Sequence, residues 1–300
     1  MPTFATLVLA MAHKTILVLG ATGRQGGSVA RVLLNRGWSV RAFVRDSSKP
    51  AAAELAAAGA RLARGTFDDT ASLRAAMDEV HGVFSALPAT LSAEDEVRHG
   101  IAIAELAADE DIPHFVYSSG ASAGTVPTGI ARFDAKPRIE AHVRRILPEA
   151  TILRPSIFMD MLVRPGTGLD KGRYTSLVEP QGSMHVVSLA DIGRFVAAVF
   201  YDRERFAGQV VPLASDRLTG LDLAAAFSQA SGRPISYARL PDAVLSTNPD
   251  LAHMAESLER GPLSQPIDLD LMRAINPDLT SFRAWLATQG RPLLNEALRG

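Results

Sequence analysis

The residues Gly20-Ala21-Thr22-Gly23-Arg24-Gln25-Gly26 read GxxGxxG. They follow directly on the apolar run Thr15–Leu19 and open a helix-like stretch, Ser28–Asn35. A glycine turn between a strand and a helix is the arrangement that holds a dinucleotide pyrophosphate. Gly20 permits a sharp turn, Gly23 lets backbone amides come close to the phosphates, and Gly26 lets the helix lie against the strand. The helix start adds unpaired N–H groups and a partial positive charge for the anion. The competing reading is a turn with a purely structural role.

A second group of charged residues ends the next strand-like run, Ser39–Val44, as Arg45-Asp46-Ser47-Ser48-Lys49. An NAD site places an acid at this strand end to bind the ribose 2′-OH. Here Arg45 stands at that position and Lys49 follows, and a guanidinium suits a 2′-phosphate. The pattern predicts NADP(H) in preference to NAD(H). Two alternatives stay open: Arg45 as a solvated loop cation, and Asp46 turned inward to the ribose.

The elements that position these groups alternate regularly. Ser39–Val44 precedes an Ala-rich stretch at 51–58, and 61–63 precedes 70–79. Likewise 83–87 precedes 93–109, and 114–117 precedes a helix at 134–147. Short continuous apolar runs spaced by helices predict a parallel sheet covered on both faces. Right-handed crossovers then give an α/β, doubly wound (Rossmann) fold. After Arg154-Pro155 the rhythm changes, and Gly and Pro become frequent between 164 and 182. Strands near 184–187 and 209–213, with helices near 190–201, 219–231 and 241–259, predict a smaller α+β C-terminal lobe interleaved with the sheet. The expected division is 1–12 as an N-terminal extension, 13–155 as the NAD(P)-binding domain and 156–300 as a substrate- or partner-binding lobe.

Composition bounds the function. With 300 residues, 47% hydrophobic and 21% charged, the chain is not disordered over most of its length. A net charge of -1 gives no global field for nucleic acid or an acidic membrane, and neither partner is expected. The absence of cysteine excludes a disulfide scaffold, a thiolate metal site and a cysteine nucleophile. It fits a cytoplasmic location. The seven histidines show no metal-ligand spacing, so no metal is expected. The apolar run within MPTFATLVLAM is too short for a signal peptide or a membrane span, and residues 1–10 read as a dispensable extension. The helices at 93–109 and 134–147 either pair across a homodimer or pack on the sheet of a monomer.

Taken in order, the segments ILVLGATGRQGGSVARVLL, VRAFVRD, GTFDD at 65–69, VFSAL, HFVYSSG, FDAKPRIEAHVRR, TILRPSIFMDM and VVSLADIGRFVAAV carry a family pattern. With LMRAINPDLTSFRAWLA near the end, the chain resembles the NmrA-like family of atypical short-chain dehydrogenase/reductases from about Lys14 to Leu286. The resemblance implies that the loop Gly20–Gly26 holds the pyrophosphate and that Arg45 and Lys49 hold the 2′-phosphate. It implies further that Phe67 and Asp68 flank the adenine, that Leu87 and Pro88 line the cofactor groove, and that Lys136 reaches the nicotinamide ribose. Pro155–Phe158 would pass beside the nicotinamide. Thr66 departs from the acid often found at that place in the family.

Ordinary short-chain dehydrogenases use a Tyr-x-x-x-Lys pair, in which the lysine prepares the phenol for proton exchange. Four residues before Lys136 stands Arg132. None of Tyr117, Tyr174, Tyr201 and Tyr237 has a lysine four residues later. A typical alcohol dehydrogenase is therefore not expected. Pro137 predicts a helix starting there, with Lys136 at its positive end. Lys136 would bind ribose hydroxyls, act as an acid/base, or do both; otherwise it is a surface lysine. Ser118, Ser119 and Ser122 follow the fifth strand, as ligand contacts or as turn and cap residues. His185, placed before a strand, is a substrate-cleft or a structural residue. Asp191 is expected to cap the helix after it. Phe158, Met159 and Met161 line an apolar pocket or belong to the core.

Two functional classes remain. The first, implied by quinone, isoflavone, ether and dye reductases of the family, is an NADPH-dependent reductase of a small apolar acceptor such as a quinone or aromatic carbonyl. Quinones accept hydride readily and water can supply the proton, so the missing tyrosine does not exclude it. The second is a catalytically silent NADP(H)-binding redox sensor that regulates a partner protein. A nucleotide-sugar epimerase is weaker, because it too relies on the absent pair.

Overall fold

β1 (Thr15–Leu19) is TILVL, with its last four residues buried. A strand this apolar must be covered on both faces. The computed structural model describes residues 14–124 and 127–299, and the expected extension at 1–12 lies outside them. From β1 the chain alternates through α1 (Arg24–Asn35), β2 (Ser39–Val44), α2 (Pro50–Ala57), β3 (Arg61–Arg64), α3 (Thr70–Met77) and β4 (Gly82–Ser85). It continues through α4 (Ala93–Asp109), β5 (Phe115–Ser118), α5 (Ala131–Ile146), β6 (Thr151–Pro155) and β7 (Ile157–Phe158). Then come β8 (Arg173–Ser176), β9 (Ser183–Val187), α6 (Leu189–Tyr201), α7 (Arg203–Phe206), β10 (Val210–Leu213) and β11 (Asp216–Thr219). The remainder is α8 (Gly220–Ser231), β12 (Ser236–Arg239), α9 (Asp242–Leu245), α10 (Pro249–Glu259), α11 (Leu269–Ile275), α12 (Phe282–Ala287) and α13 (Arg291–Ala297).

The main sheet is parallel, seven-stranded, in the order β10-β6-β5-β4-β1-β2-β3. The strand order reverses between β1 and β4, which is where a doubly wound sheet opens a crevice at its carboxyl edge. The register pairs Leu19 with Ser85 and Val18 with Ala42. This is the expected doubly wound fold.

The chain divides into two units. The first comprises the described part of Met1–Ser119, with Ala135–Arg154 and Ile192–Val211. Its larger core joins Leu17, Leu19, Val83, Tyr117 and Ile152 of the sheet to Leu73, Ile103 and Ile139 of the covering helices. α4 and α5 interlock, since a Cβ on Gly100 would stand 2.7 Å from Ile139 Cδ1. The second unit comprises the described parts of Gly120–Asp134, Pro155–Asp191 and Pro212–Gly300. It contains the sheets β11-β9-β7 and β12-β8 and a core around Met159, Tyr174, Phe227, Phe282 and Trp285. Among the described residues no helix is long and apolar enough to cross a membrane.

Four local expectations need correction. Pro137 does not start its helix but lies inside α5, which begins at Ala131. Ala135, Ile139 and Val143 form one buried stripe along it, and packing of that stripe outweighs the N–H that proline lacks. β4 ends at Ser85 rather than 87, because its partner β1 turns away at Gly20. The stretch 241–259 is two helices, with Asn248 capping the second at Pro249. Ser188, not Asp191, caps α6, and its hydroxyl accepts the Asp191 N–H at 3.0 Å.

Candidate functional site

After Leu19 the backbone turns at Gly20 with φ +72°, and a Cβ there would stand 2.2 Å from the Ala86 carbonyl oxygen. A Cβ on Gly26 would stand 2.3 Å from the Gly20 oxygen. These two glycines are required by the fold itself. Gly23 is different. Its φ of -81° and ψ of 170° suit any residue, and its nearest obstruction is the Gly20 oxygen at 3.2 Å. Thr22, Gly23 and Arg24 are exposed, while Ala21 is buried.

Gly23 is also the N-cap of α1, which has no side-chain cap and no acid in its first turn. α3 is capped by Asp69, and α4 by Ser92 with three acids in its first turn. The positive end of α1 lacks the protein anion that the other two possess, as a site for an external anion requires. Gln25 Nε2 donates to Ser118 Oγ at 2.5 Å, tying the first turn of α1 to the end of β5. Nearby, the hydroxyls of Ser85, Tyr117 and Ser119 are buried without hydrogen-bond partners among the described residues. Ser85 and Tyr117 face each other across β4 and β5, so orphaned hydroxyls collect toward the carboxyl edge. This edge and the uncapped glycine turn fit a polar dinucleotide.

At the end of β2, Arg45 is exposed, and among the described residues no carboxylate lies within salt-bridge distance of it. Lys49 is exposed and is the N-cap residue of α2. Asp46 Oδ1 accepts from Ser48 N at 2.9 Å and from Ser48 Oγ at 2.6 Å. Those hydrogen bonds, with Lys49 and Arg64 nearby, hold its carboxyl below the ordinary range. One oxygen of Asp46 is thus engaged by its own loop.

Phe67 is half-buried and stacks on Phe43 at 5.9 Å between centroids, with His99 tilted against it at 5.7 Å. Asp68 is exposed and accepts from His99 Nε2 at 3.0 Å and Arg98 at 2.8 Å, which lowers its pKa. Leu87 and Pro88 are half-buried, just beyond β4. Lys136 Nζ lies 2.6 Å from Glu96 Oε1. Arg132, at the place of the usual tyrosine, lies over the Phe133 ring at 5.0 Å. The loop, Arg45, Lys49, Phe67, Asp68, Leu87, Pro88 and Lys136 all belong to the first unit.

The remaining candidates belong to the second unit. Pro155 is buried, and its carbonyl accepts from Ala121 N at 2.9 Å. Phe158 is half-buried in β7, Met159 is core and Met161 is exposed, so the three do not share one role. Ser122 is buried. His185 lies inside β9 rather than before it, and burial lowers its pKa. Asp191 is a fully buried acceptor for Ser188 Oγ, Ser215 Oγ, Asn276 Nδ2 and Thr280 N.

Reading the sequence missed Glu96, Glu140 and Gln25's tie to Ser118. Glu96 sits in the run AEDE, which looks like a solvated helix start. Only the i,i+4 spacing of Lys136 and Glu140 hints that one face of α5 carries paired charges.

The NmrA-like family model matches residues 12–275. An NmrA-like family domain-containing oxidoreductase, hkm9, of Aspergillus hancockii is 32% identical over 75% of this chain and 74% of its own. An NAD(P)H azoreductase of Xenophilus azovorans is 31% identical over 74% and 76%. Among solved structures, the negative transcriptional regulator NmrA in complex with NADP superposes with TM-score 0.78 at 21% identity, covering 94% of this chain and 97% of that one. An NADPH-dependent quinone oxidoreductase of Escherichia coli, complexed with NADPH, gives TM-score 0.76 at 22% identity over 92% and 99%. With the glycine turn, the strand order and these matches together, the chain belongs to the NmrA-like family.

Proposed function

We propose that the chain is an NADPH-dependent reductase of a small apolar acceptor such as a quinone or an aromatic carbonyl. The observation that carries this reading is the exposed Gly23 at the uncapped positive end of α1, where a side chain would fit the fold but obstruct an anion. Bound there, the nicotinamide nucleotide supplies the hydride. The backbone amides of Thr22 and Arg24 hold the pyrophosphate, the Gly23 amide being taken by the Gly20 carbonyl at 2.9 Å. Arg45 and Lys49 hold the 2′-phosphate, while Asp46 is occupied by Ser48. Phe67 and Asp68 flank the adenine, Leu87 and Pro88 line the groove, and Lys136 meets the ribose. Because Arg132 stands where a tyrosine would donate, the proton comes from water, which an easily reduced quinone permits. The azoreductase relative supports the choice of an electron-poor apolar acceptor.

The test is calorimetric titration with NADPH and NADH, followed by NADPH oxidation over a panel of quinones and aromatic ketones. We expect NADPH to bind about tenfold or more tightly than NADH, the value of one charge-assisted contact, and at least one quinone to turn over. Tight binding without turnover of any acceptor would instead support the redox-sensor reading, which Arg132 at the tyrosine position favours. Absence of heat with both nucleotides would overturn both readings.

A further inference from the structure

The first unit holds two buried carboxylates for which the cofactor reading has no use. Glu96, in the first turn of α4, is 6% exposed, and Glu140 of α5 is 3% exposed. Each is matched by one cation. Lys136 Nζ lies 2.6 Å from Glu96 Oε1, and Arg154 donates to both oxygens of Glu140 at 3.0 and 2.5 Å. The four charges cancel. The Tyr117 hydroxyl lies within electrostatic reach of both carboxylates, and burial keeps it firmly protonated.

The position of Glu96 needs an explanation. Acids in a first turn complement the helix dipole, but the exposed Glu94 and the half-buried Asp95 already do so. Glu96 alone of the three is turned inward, where a carboxylate is tolerated only with a partner. That partner is Lys136, the lysine the cofactor reading places at the ribose. A lysine carries its charge on a long, freely rotating stem with three donors. Its side chain is 21% exposed, so it is held by Glu96 without being fully enclosed.

We propose that Glu96 is the positioning residue for Lys136. Its carboxylate takes one of the three N–H donors and fixes the ammonium, so that the other two meet the ribose hydroxyls of the dinucleotide. This rests on the reading of Lys136 as a ribose contact.

The experiment compares Lys136→Met, Glu96→Gln and the double variant, with NADPH affinity by calorimetry, kcat and KM for a quinone, and the melting temperature of each. Lys136→Met is expected to weaken NADPH about tenfold, the scale of one charge-assisted hydrogen bond. Glu96→Gln is expected to weaken it about threefold or more, with the quinone KM unchanged, and the double variant is expected to bind no worse than Lys136→Met alone. This non-additivity separates positioning from a structural effect. Wild-type affinity in Glu96→Gln, or losses that multiply in the double variant, would overturn the proposal. Wild-type affinity and turnover in Lys136→Met would instead overturn the ribose role of Lys136, while NADPH binding by the loop would stand. If Glu96→Gln melts below the assay temperature, Glu96→Asp replaces it. That variant keeps the charge but draws it back by one methylene, and it is expected to weaken NADPH at an unchanged melting temperature. Wild-type affinity there would equally overturn the proposal.

Discussion

Gly23→Ala separates the demands of the fold from those of the ligand. Its backbone, at φ -81° and ψ 170°, is open to alanine, and the added Cβ would meet only the Gly20 oxygen at 3.2 Å. Replacing glycine by alanine at an N-cap costs about 0.5–1 kcal/mol, or about 2 °C in Tm for a chain of this size. The same methyl sits at the N-cap of α1 and is expected to crowd a phosphate oxygen, which must approach the free amides to about 2.9 Å. Losing one charge-assisted hydrogen bond there costs about 1.5–3 kcal/mol, which is about 10- to 100-fold in Kd. Gly26→Ala is the control, because its Cβ would stand 2.3 Å from the Gly20 oxygen, and it should lose several kcal/mol of stability. The assay is NADPH titration calorimetry beside thermal unfolding. If Gly23→Ala bound NADPH like the parent chain while melting within about 3 °C of it, the pyrophosphate would not lie on this turn.

Further outcomes follow from other residues. Arg45→Ala should weaken NADPH about tenfold or more while leaving NADH within about twofold; equal losses for both nucleotides would remove the 2′-phosphate from this strand end. His114 is buried, with burial, Arg203 and His81 lowering its pKa to about 4. Thr151 Oγ1 gives its proton to the Phe206 carbonyl, so His114 Nε2 is the donor in the 2.9 Å contact with Thr151, and the ring is neutral. The unfolded chain binds this proton near pH 6.5 and the folded chain only near pH 4. The penalty is therefore absent above pH 6.5, grows as pH falls and is complete below pH 4, at about 3 kcal/mol. Urea unfolding at pH 7 and pH 4.5 should show His114→Gln flattening this slope; an unchanged slope would contradict it. Asp191→Ala leaves four donors at 2.6–3.0 Å without an acceptor and should cost at least about 4 kcal/mol by urea unfolding, whereas a loss under about 1 kcal/mol would show that water replaces the carboxylate.

The parts of this molecule governed by local rules were readable in advance. The apolar runs at 15–19 and 39–44 are strands at those residues, and 93–109 is a helix at its expected bounds, because Ser92 caps it and its apolar spacing is helical. The glycine turn was readable because the positive φ of Gly20 and the close approach of Gly26 to the Gly20 carbonyl both lie within seven residues of chain. Pro137 misled because proline usually marks a helix start. The real signal was Asp134, whose carboxylate accepts from Thr128 N, Thr128 Oγ1 and Gly129 N at 2.7, 2.8 and 3.1 Å and settles the turn before α5. Glu96 was hidden for a different reason. Its burial depends on a cation 40 positions away, and no spacing rule reaches that far. Asp191 looked like a helix cap because its partners at 276 and 280 enter only in the folded chain.

The assembly of the first unit from three separate stretches of chain bears on how it comes off the ribosome. Its last contribution, Ile192–Val211, brings Phe200, whose ring meets Trp38 at 6.2 Å and His114 at 5.4 Å, and brings Gly193, which lets α6 close to within touching distance of Val32. Until those residues emerge, the nascent polypeptide carries a nearly finished β-layer with one greasy flank bare, and chaperone capture is expected during that interval. The same flank would make any shortened version ending before residue 192 prone to aggregate, however intact its nucleotide loop.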